Sequence, residues 1–248
     1  MNAIVLGAGR GTRLRSVDLR LPKVLVDVDG RPLLAFQLEQ LERQGFERVV
    51  VNAHHLAHEM ESFAARYGGP VDLRVVVEPV LLGTAGGVRN ALATLGPEPF
   101  LVLYGDVVTT EPLRGLLDAH ARGGAAATLA VHEAPGSEGK GFVEVDRDGF
   151  VTRFVEKGPP TRDRRLVNSG IYVLEPELVE SLPLGVPLDF GYDVFPAAVD
   201  SGARIAAHRL ARPVVDVGTP EGLAEARSLL RARRADDASA MAKPKPKP

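Results

Sequence analysis

The 248-residue chain contains no cysteine, which excludes disulfide bonds and thiolate metal sites and fits a reducing compartment. It has no apolar run near the roughly 20 residues that a membrane-spanning helix needs. The first residues enter an apolar stretch at once, with neither the basic region nor the long apolar region of a signal peptide. A formal net charge of −2 gives no electrostatic reason to expect a nucleic-acid or membrane partner. We therefore expect a soluble, cytoplasmic protein.

The composition that is present is an ordinary globular balance, with 45% apolar and 25% charged residues. The length suits one large domain with a sizeable core, and no linker rich in Pro, Gly or Ser divides the chain. After Met241 the chain ends in alternating Lys and Pro, which cannot bury apolar surface. We predict one domain over residues 1–236 and a disordered Lys/Pro tail over residues 237–248.

Short β-branched runs alternate with longer helical patterns in the first half of the chain. Strands are predicted over residues 3–6, 49–51, 75–77 and 100–104, and helices near 32–44, 56–67 and 85–95. This alternation predicts a Rossmann-like α/β fold, with a mostly parallel central sheet flanked by helices. Strands predicted over residues 126–132, 142–145, 151–155 and 171–174 indicate a smaller antiparallel or mixed subregion over the ends of the parallel strands. A helix over residues 220–234 closes the fold.

A glycine-rich loop directly follows the first strand. Its candidate ligand-binding residues are Leu6, Gly7, Ala8, Gly9, Gly11, Thr12 and Arg13. Glycine lets the backbone approach a ligand and point N–H groups at an anion, and arginine can grip phosphate oxygens with two hydrogen bonds. Thr12 stands where a dinucleotide fingerprint has its third glycine, and no Gly-Lys-Ser/Thr follows as in a Walker sequence. A tight strand-to-helix turn stays open as the alternative.

Two further elements follow this loop in order, Pro22-Lys23 and Gly30-Arg31-Pro32-Leu33. With the loop they resemble the signature of sugar-1-phosphate nucleotidylyltransferases, which make NDP-sugars, closest in pattern to mannose- or heptose-1-phosphate guanylyltransferases. The resemblance departs from the family at Ala8, where glycine is frequent. It implies that residues 7–13 wrap the nucleotide phosphates, and that Arg13 and Lys23 neutralise charge on the α-phosphate and the leaving pyrophosphate. The alternative for Lys23 is a solvated surface lysine.

The segment from Glu78 to Gly87 resembles the base-recognition segment of that family, which makes Glu78, Gly83 and Thr84 candidate nucleotide-binding residues. Pro79 forces an extended conformation on Glu78, which lies at the end of a predicted strand. A carboxylate only accepts hydrogen bonds, and guanine offers two adjacent donors. GTP is therefore favoured, while UTP and dTTP stay open. The alternative for Glu78 is an exposed carboxylate that caps the next helix.

Two aspartates are the candidate metal ligands. Asp106 follows a predicted strand in Tyr104-Gly105-Asp106, and Asp216 lies in Asp216-Val217-Gly218-Thr219. Both resemble family motifs whose aspartates bind catalytic Mg²⁺, an ion that prefers oxygen ligands. Asp106 alone could instead cap a helix near Pro112. The implied catalytic set is Arg13, Lys23, Asp106 and Asp216, with no general base, because the attacking phosphate is already a competent nucleophile.

The sugar-phosphate side is implied by two more motifs, Glu156-Lys157 and Asn168-Ser169-Gly170-Ile171-Tyr172. The resemblance assigns Glu156 and Asn168 to the sugar, Lys157 to its phosphate, and Gly141 to the backbone that approaches the hexose. Glu156 and Lys157 could also be an exposed pair at a strand end. The segment over residues 189–196 is interpreted as structural, with Asp189 as a helix N-cap.

The predicted function is transfer of a nucleoside monophosphate from an NTP to a sugar 1-phosphate, with Mg²⁺ as cofactor. The expected partners are the NTP and the sugar 1-phosphate, not nucleic acid or a membrane, and a homo-oligomer stays open. A regulatory subunit that binds nucleotide sugars would be expected to lose the phosphate-gripping or metal-binding residues, which are all present. A glycosyltransferase would be expected to carry Asp-x-Asp at a strand end, where this chain has Asp106-Val107-Val108.

Overall fold

The computed structural model describes residues 1–9, 21–135, 141–157 and 164–242. Gly11, Thr12 and Arg13 of the glycine-rich loop lie outside these described residues. None of the helices in the described ranges is long and apolar enough to cross a membrane.

A nine-stranded sheet forms the centre of the protein, and its first part is parallel. Strand β1 (Asn2–Leu6) pairs in parallel with both β4 (Arg48–Ala53) and β6 (Phe100–Tyr104), and β4 pairs in parallel with β5 (Asp72–Val77). Successive side chains of a strand face opposite sides of a sheet. Ile4 accordingly joins one apolar cluster, while Ala3 and Val5 join the cluster on the other face. The strands are buried on both faces, as their continuous apolar runs predict.

Antiparallel strands continue the same sheet beyond β6. Strand β11 (Arg164–Leu174) pairs antiparallel with β6, β8 (Ala127–Pro135) and β9 (Phe142–Val145). Strand β10 (Val151–Val155) pairs with β9, and β12 (Ile205–Arg209) lies parallel to β8. The mixed subregion is therefore present as predicted, but it extends the sheet sideways instead of lying over the strand ends. Its link is β11, which is longer than the predicted strand over residues 171–174.

Helices cover both faces of the sheet, and their bounds are α1 (Leu33–Arg43), α2 (Ala57–Arg66), α3 (Gly83–Leu95), α4 (Arg114–Gly123), α5 (Pro176–Glu180) and α6 (Phe195–Asp200). In α1 the side chains of Leu34, Leu38 and Leu41 recur at helical spacing and are fully buried against the sheet. Pro32 precedes the first turn of this helix, where its missing N–H costs no hydrogen bond. The helix therefore begins where the sequence predicts.

Two small pairs of strands lie outside the main sheet, β2 (Asp27–Val28) with β3 (Arg31–Pro32), and β7 (Val107–Thr109) with β13 (Val214–Asp216). They pack with helix α7 (Pro220–Ala242) into a third apolar cluster. The apolar run Val24-Leu25-Val26 resembles a strand in sequence, but residues 23–25 form a 3₁₀ turn (Lys23–Leu25), whose Val24 and Leu25 pack into an apolar cluster on one face of the sheet. The backbone of α7 runs to Ala242, so residues 237–242 are helical where a disordered tail was predicted.

Candidate active site

A cavity of about 310 Å³ opens at the carboxyl ends of the parallel strands. Ligands generally bind at this edge of an α/β sheet, because the loops that follow neighbouring strands meet there. The residues that line the cavity are Leu6, Gly7, Ala8, Gly9, Lys23, Val24, Asn52, Leu81, Gly83, Thr84, Tyr104, Asp106 and Asp189. The structure thus brings most described nucleotide-binding candidates of the sequence analysis into one wall.

Lys23 lies between the two aspartates that are candidate metal ligands. Its Nζ donates to Asp106 Oδ2 at 2.5 Å and lies 3.8 Å from Asp216 Oδ1. The lysine side chain is only 11% exposed, so its ion pairs are screened less than pairs on the surface. Lys23 is therefore not a solvated surface lysine. Of the four candidate catalytic residues, these three converge, and Arg13 lies outside the described residues.

Two sets of hydrogen bonds to or from the backbone position these two aspartates, and neither was predicted from the sequence. Gln37 of α1 is 3% exposed, and its Nε2 donates to three backbone carbonyl groups within residues 104–107, which clamps the turn that carries Asp106. The N–H of Gly218 donates to Asp216 Oδ1 at 2.6 Å, and a Cβ at position 218 would lie equally close to that oxygen. The sequence held one indication of this role, because Gln37 is a polar residue on the face of α1 that carries the buried leucines.

Glu78 does not face the cavity. It is 1% exposed; its Oε1 accepts from Asn52 Nδ2 at 2.6 Å and its Oε2 from the N–H of Leu82 at 3.0 Å. Asn52 Oδ1 in turn accepts from the N–H of Gly7 at 2.8 Å. The expectation that Glu78 reads guanine is therefore not supported by its geometry, because both carboxylate oxygens are engaged inside the protein. Glu78 does meet the N-terminal end of α3, as in the capping alternative, but from a buried position.

The glycines at the start of α3 also have a reason other than close approach of a base. Gly83 has φ +72°, and a Cβ there would collide with the carbonyl oxygen of Leu188. A Cβ at Gly86 would lie 2.5 Å from the carbonyl oxygen of Val186, and one at Gly87 would lie 2.6 Å from Glu78 Oε1. These glycines let the chain pack against α3, and Gly83 additionally lines the cavity.

Asp189 caps a single-turn π-helix (Phe190–Val194), which confirms its predicted role as an N-cap. Its Oδ1 accepts from the backbone N–H groups of Gly191 and Tyr192. Its Oδ2 accepts from Thr84 Oγ1 at 2.8 Å, and Asp189 lines the cavity. The segment over residues 189–196 was interpreted as structural only, but it also contributes to the cavity wall.

Glu156 lies in a tight space between two glycines. A Cβ at Gly141 would lie 2.8 Å from Glu156 Oε2, and one at Gly191 would overlap the carboxylate. Burial raises the pKa of Glu156 to about 7; the negative charge of Asp189 raises it further, and Lys157 opposes the shift. The predicted Gly141 and Glu156 are thus adjacent, and Gly191 is a neighbour that the sequence analysis did not identify.

Lys157 and Asn168 both follow Glu156 in the chain. Lys157 Nζ stands 5.7 Å from the centre of the Tyr192 ring, and the hydrogen bond to that tyrosine is the main cause that raises the lysine pKa. Asn168 Nδ2 donates to the Tyr172 hydroxyl at 2.7 Å, and Asn168 Oδ1 accepts from the N–H of Gly170. The four sugar-side candidates therefore belong to strands β9 to β11 or the loops beside them.

Asp106 and Asp216 offer the ligand chemistry that Mg²⁺ prefers, carboxylate oxygens that approach one point. The ammonium of Lys23 already lies there, so the space accepts a positive charge. Within the described ranges, no group of three or more His, Cys, Asp or Glu residues could hold a metal ion. Two carboxylates fit an ion whose remaining ligands are phosphate oxygens and water.

The fold and the site define an α/β protein with a cleft at the carboxyl ends of its parallel strands, lined by glycine backbone, one ammonium and two carboxylates. The sequence model of the family described as Nucleotidyl transferase matches residues 2–233. The chain belongs to this family.

Relatives in this family are similar to the chain over most of its length. It is 34% identical over 236 residues to the UTP–glucose-1-phosphate uridylyltransferase of Synechocystis sp., covering 88% of this chain and 60% of the relative. It is 32% identical over 228 residues to the mannose-1-phosphate guanylyltransferase of Mycobacterium tuberculosis, covering 89% and 62%. The chain thus spans about 60% of the length of these curated relatives.

Solved structures share the architecture. HddC from Yersinia pseudotuberculosis has a TM-score of 0.80 and 26% sequence identity, over 92% of this chain and 99% of that chain. A second crystal structure of HddC, complexed with GMP-PN, has a TM-score of 0.79 over the same shares of both chains. The mixed α/β fold with its mostly parallel central sheet is therefore that of nucleotidyltransferase structures.

Proposed function

We propose that this protein transfers a nucleoside monophosphate from an NTP to a sugar 1-phosphate, which gives an NDP-sugar and pyrophosphate. The observation that carries the proposal is the position of the Lys23 ammonium, which lies 2.5 Å from Asp106 and 3.8 Å from Asp216. Lys23 lines the same cavity as Gly7 and Gly9. Transfer of a phosphoryl-type group depends on positioning and on neutralised charge, which such groups supply.

The proposed reaction is an in-line displacement at the α-phosphorus of the NTP. A phosphate oxygen of the sugar 1-phosphate attacks and forms a new P–O bond. The bond from the α-phosphorus to the bridging oxygen breaks, and its electron pair leaves with pyrophosphate. Lys23 and Arg13 lower the cost of the charge on the α-phosphate and on the leaving group. For Arg13 this role rests on the sequence resemblance.

The nucleotide is proposed to lie along the cavity wall. On the sequence resemblance, the loop over residues 7–13 is proposed to wrap its phosphates, and the segment at Gly83 and Thr84 is proposed to border its base and ribose. The hydrogen bond from Gly7 to Asn52 supports this placement, because it fixes the backbone of the first glycine. Preorganised N–H groups bind an anion without a reorganisation cost at the moment of reaction.

Asp106 and Asp216 are proposed to hold Mg²⁺ together with phosphate oxygens of the substrate. Members of this family generally depend on a divalent metal ion. The ion would withdraw charge from the phosphate oxygens when it is bound. The two carboxylates also keep Lys23 oriented toward the cavity, since its Nζ is paired with both.

The sugar 1-phosphate is proposed to bind beside Asp189, over strands β9 to β11. Gly141 leaves room for the sugar ring, Glu156 and Asn168 hydrogen-bond its hydroxyls, and Lys157 pairs with its phosphate. The support is the shared space of these residues around the Glu156 carboxylate. A mannose- or heptose-type sugar is the proposed substrate class, on the strength of the motif pattern and of the mannose-1-phosphate relative.

GTP is the proposed nucleotide. It is supported by the relative named mannose-1-phosphate guanylyltransferase and by the HddC structure complexed with GMP-PN. The buried position of Glu78 removes the earlier reason for this choice. UTP is the second candidate, because the uridylyltransferase of Synechocystis sp. is 34% identical.

The test is a matrix of GTP, UTP, dTTP and ATP against mannose, glucose and heptose 1-phosphates with Mg²⁺, followed by pyrophosphate release. We expect the highest kcat/KM with GTP. A higher value with UTP or dTTP would overturn the nucleotide assignment only. Pyrophosphate from none of the pairs, from a protein with a normal melting curve, would overturn the proposed activity and favour a nucleotide-sugar-binding regulatory subunit.

Replacing Lys23 with Ala is expected to lower kcat/KM by about 10²- to 10³-fold, the range found when one charge-stabilising group is removed. The matched control is Arg48→Ala, which breaks the ion pair between Arg48 Nε and Asp72 Oδ2, 2.8 Å apart. Both residues lie at the amino ends of their strands, β4 and β5, away from the cavity. That variant should keep its turnover. Near-normal activity of Lys23→Ala would remove this residue from the mechanism.

A further inference from the structure

The peptide unit between Leu6 and Gly7, where strand β1 ends and the glycine-rich loop begins, is held at both of its polar groups. Its carbonyl oxygen accepts from the N–H of Gly105 at 3.0 Å. Its N–H donates to Asn52 Oδ1 at 2.8 Å. A Cβ at Gly7 would lie 2.9 Å from the backbone oxygen of Asn52, so the loop also packs closely on the end of strand β4. The orientation of this peptide unit therefore depends on the side chain of Asn52.

The amide of Asn52 has one orientation that satisfies both of its partners. Its Oδ1 faces the N–H of Gly7, and its Nδ2 donates to Glu78 Oε1 at 2.6 Å. A carboxylate only accepts hydrogen bonds, and a backbone N–H only donates them. Turning the amide over would therefore set two acceptors against each other at Glu78 and two donors against each other at Gly7. Both side chains are 1% exposed, so bulk water does not relieve such a mismatch.

Glu78 extends these contacts to a second part of the cavity wall. Its Oε2 accepts at 3.0 Å from the N–H of Leu82, the residue that precedes the first turn of α3. Gly7 lines the cavity at the loop, and Gly83 lines it at the start of α3. Three hydrogen bonds therefore link the two wall segments through the side chains of Asn52 and Glu78.

These bonds connect Asn52 and Glu78 to the proposed nucleotide site through backbone groups. We propose that the two side chains form a positioning pair, which fixes the glycine-rich loop relative to the start of α3 and so holds the nucleotide site in its binding conformation. Both are positioning residues, since they act through the N–H groups of Gly7 and Leu82. The inference rests on the proposed function, which places the nucleotide along these two segments.

The pair has a reversed form that keeps every hydrogen bond. In Asn52→Asp two carboxylates face each other, and in Glu78→Gln an amide N–H faces either Asn52 Nδ2 or the N–H of Leu82. In the double variant Asn52→Asp/Glu78→Gln, the introduced amide donates to the introduced carboxylate, which still accepts from Gly7. The oxygen of the introduced amide still accepts from Leu82. Two changes that are each harmful should therefore cancel when they are combined.

The experiment is titration calorimetry of a non-hydrolysable GTP analogue with Mg²⁺, on the unchanged protein, both single variants and the double variant. If UTP turns over faster in the substrate matrix, the UTP analogue is used. We expect each single variant to weaken binding by about 10-fold, because an unsatisfied buried polar group has a cost of that order. The double variant should recover an affinity within about 3-fold of the unchanged protein, as coupled neighbours do in a double-mutant cycle.

The matched control is Asn2→Asp at the amino end of strand β1, where Asn2 Nδ2 donates to the carbonyl oxygen of Leu95 at 2.6 Å. It makes the same chemical change and also loses a hydrogen bond, but it lies away from the cavity. Its melting temperature should fall while its nucleotide affinity stays unchanged. Single variants at positions 52 and 78 that melt lower and yet bind the analogue normally would show a purely structural role and overturn the proposal.

The double variant gives the second decision. If it stays as weak as the single variants, or if it does not fold, the positioning pair is overturned, since the reversed pair should keep every bond. Where a single variant does not fold, the double variant is compared with the unchanged protein alone. In these cases the unchanged protein still binds the analogue, so the proposed function survives. An unchanged protein that binds neither analogue overturns the proposed function and the positioning role with it.

Discussion

Glu78 is a buried carboxylate whose hydrogen bonds hold two segments of backbone together. Glu78 joins the Gly7 loop to the start of α3, through Asn52 on one oxygen and the N–H of Leu82 on the other. A Cβ at Gly87 would meet both Glu78 and Asn52, which leaves this carboxylate no room to turn. Its place in the sequence made it a candidate reader of guanine, while its contacts make it a support for the loop that begins at Gly7.

Glu78→Gln distinguishes these two roles. The amide would place N–H hydrogens toward Asn52 Nδ2 or the N–H of Leu82, and an unsatisfied buried group costs about 1–3 kcal/mol. We expect lower unfolding free energy in urea and a similar loss of affinity for GTP and UTP. The exposed Glu98→Gln serves as the control and should change neither. A loss confined to GTP would restore Glu78 as the residue that reads the base.

Glu156 makes stability depend on pH in a defined direction. Burial first, and the Asp189 charge second, raise its pKa in the folded protein from 4.5 to about 7. The contribution of the Glu156 carboxyl group to the free energy of unfolding is therefore fully present below pH 4.5, where the group is protonated, and is lost as the pH rises through about 7. Melting temperatures measured from pH 5 to pH 8.5 should rise in Glu156→Gln relative to the unchanged protein. Parallel pH curves for both proteins would show that the shift is absent.

At the scale of one element, strand β11 carries an irregularity beside Asn168, where the proposed sugar side begins. Its pairing with β8 shifts register between Asn168 and Tyr172, and Gly170 there has φ +67°. A Cβ at Gly170 would lie 2.9 Å from the Tyr104 ring. Bulges of this kind redirect side chains next to active sites. The irregularity turns Asn168 toward the Tyr172 hydroxyl.

Gly170→Ala should destabilise the protein by about 2–4 kcal/mol in chemical unfolding. About 1–2 kcal/mol comes from the left-handed backbone, and the rest from contact with the Tyr104 ring. Gly185→Ala is the matched control: it has φ +75°, and no atom of the described residues lies within 4 Å of its Cβ position. It should show the backbone cost alone. Equal losses in both variants would mean that Tyr104 yields without cost.

The regular elements could be predicted because their causes are local. The apolar runs of β1 and β6 and the leucine spacing of α1 reflect neighbours in the chain. The full length of β11 could not be predicted, because Arg164 to Asn168 are placed by pairing with β8 and β9 and carry little apolar pattern of their own. The short turn at Lys23 likewise could not be predicted, because Val24 and Leu25 pack against one face of the sheet without joining it as a strand.

The candidate site likewise contains residues that the sequence could predict and residues that only the tertiary structure identifies. Lys23, Asp106 and Asp216 lie in contiguous motifs, so the sequence could nominate them, and the structure brings them together. Gln37 and Asn52 act on residues 67 or more and 26 or more positions away, which no local pattern records. The environment of Glu78 also needed tertiary structure, since a strand-end carboxylate can face either a ligand or the core.

At the scale of the whole molecule, the sheet is continuous through both halves. Strand β11 pairs with β6 of the parallel part and with β9 of the antiparallel part. We expect one cooperative transition in differential scanning calorimetry, with equal calorimetric and van't Hoff enthalpies. A GTP analogue with Mg²⁺ at 100 times its Kd should stabilise that single transition by about 2.7 kcal/mol. Two resolved transitions would contradict a single folding unit.

The path of β11 also limits how substrates can be brought together. Strand β8 pairs along one edge of β11, while β6 at Ile171–Leu174 and β9 at Leu166–Val167 share the other edge. A hinge between the two halves would therefore have to bend β11 itself or break its backbone hydrogen bonds to β6 or β9. The sheet is therefore a rigid base for the nucleotide side and the sugar side of the proposed site. In the proposed reaction, the fold then sets the distance between the attacking phosphate oxygen and the α-phosphorus. Any closing motion around bound reactants belongs to the rim of the cleft and leaves the sheet unchanged.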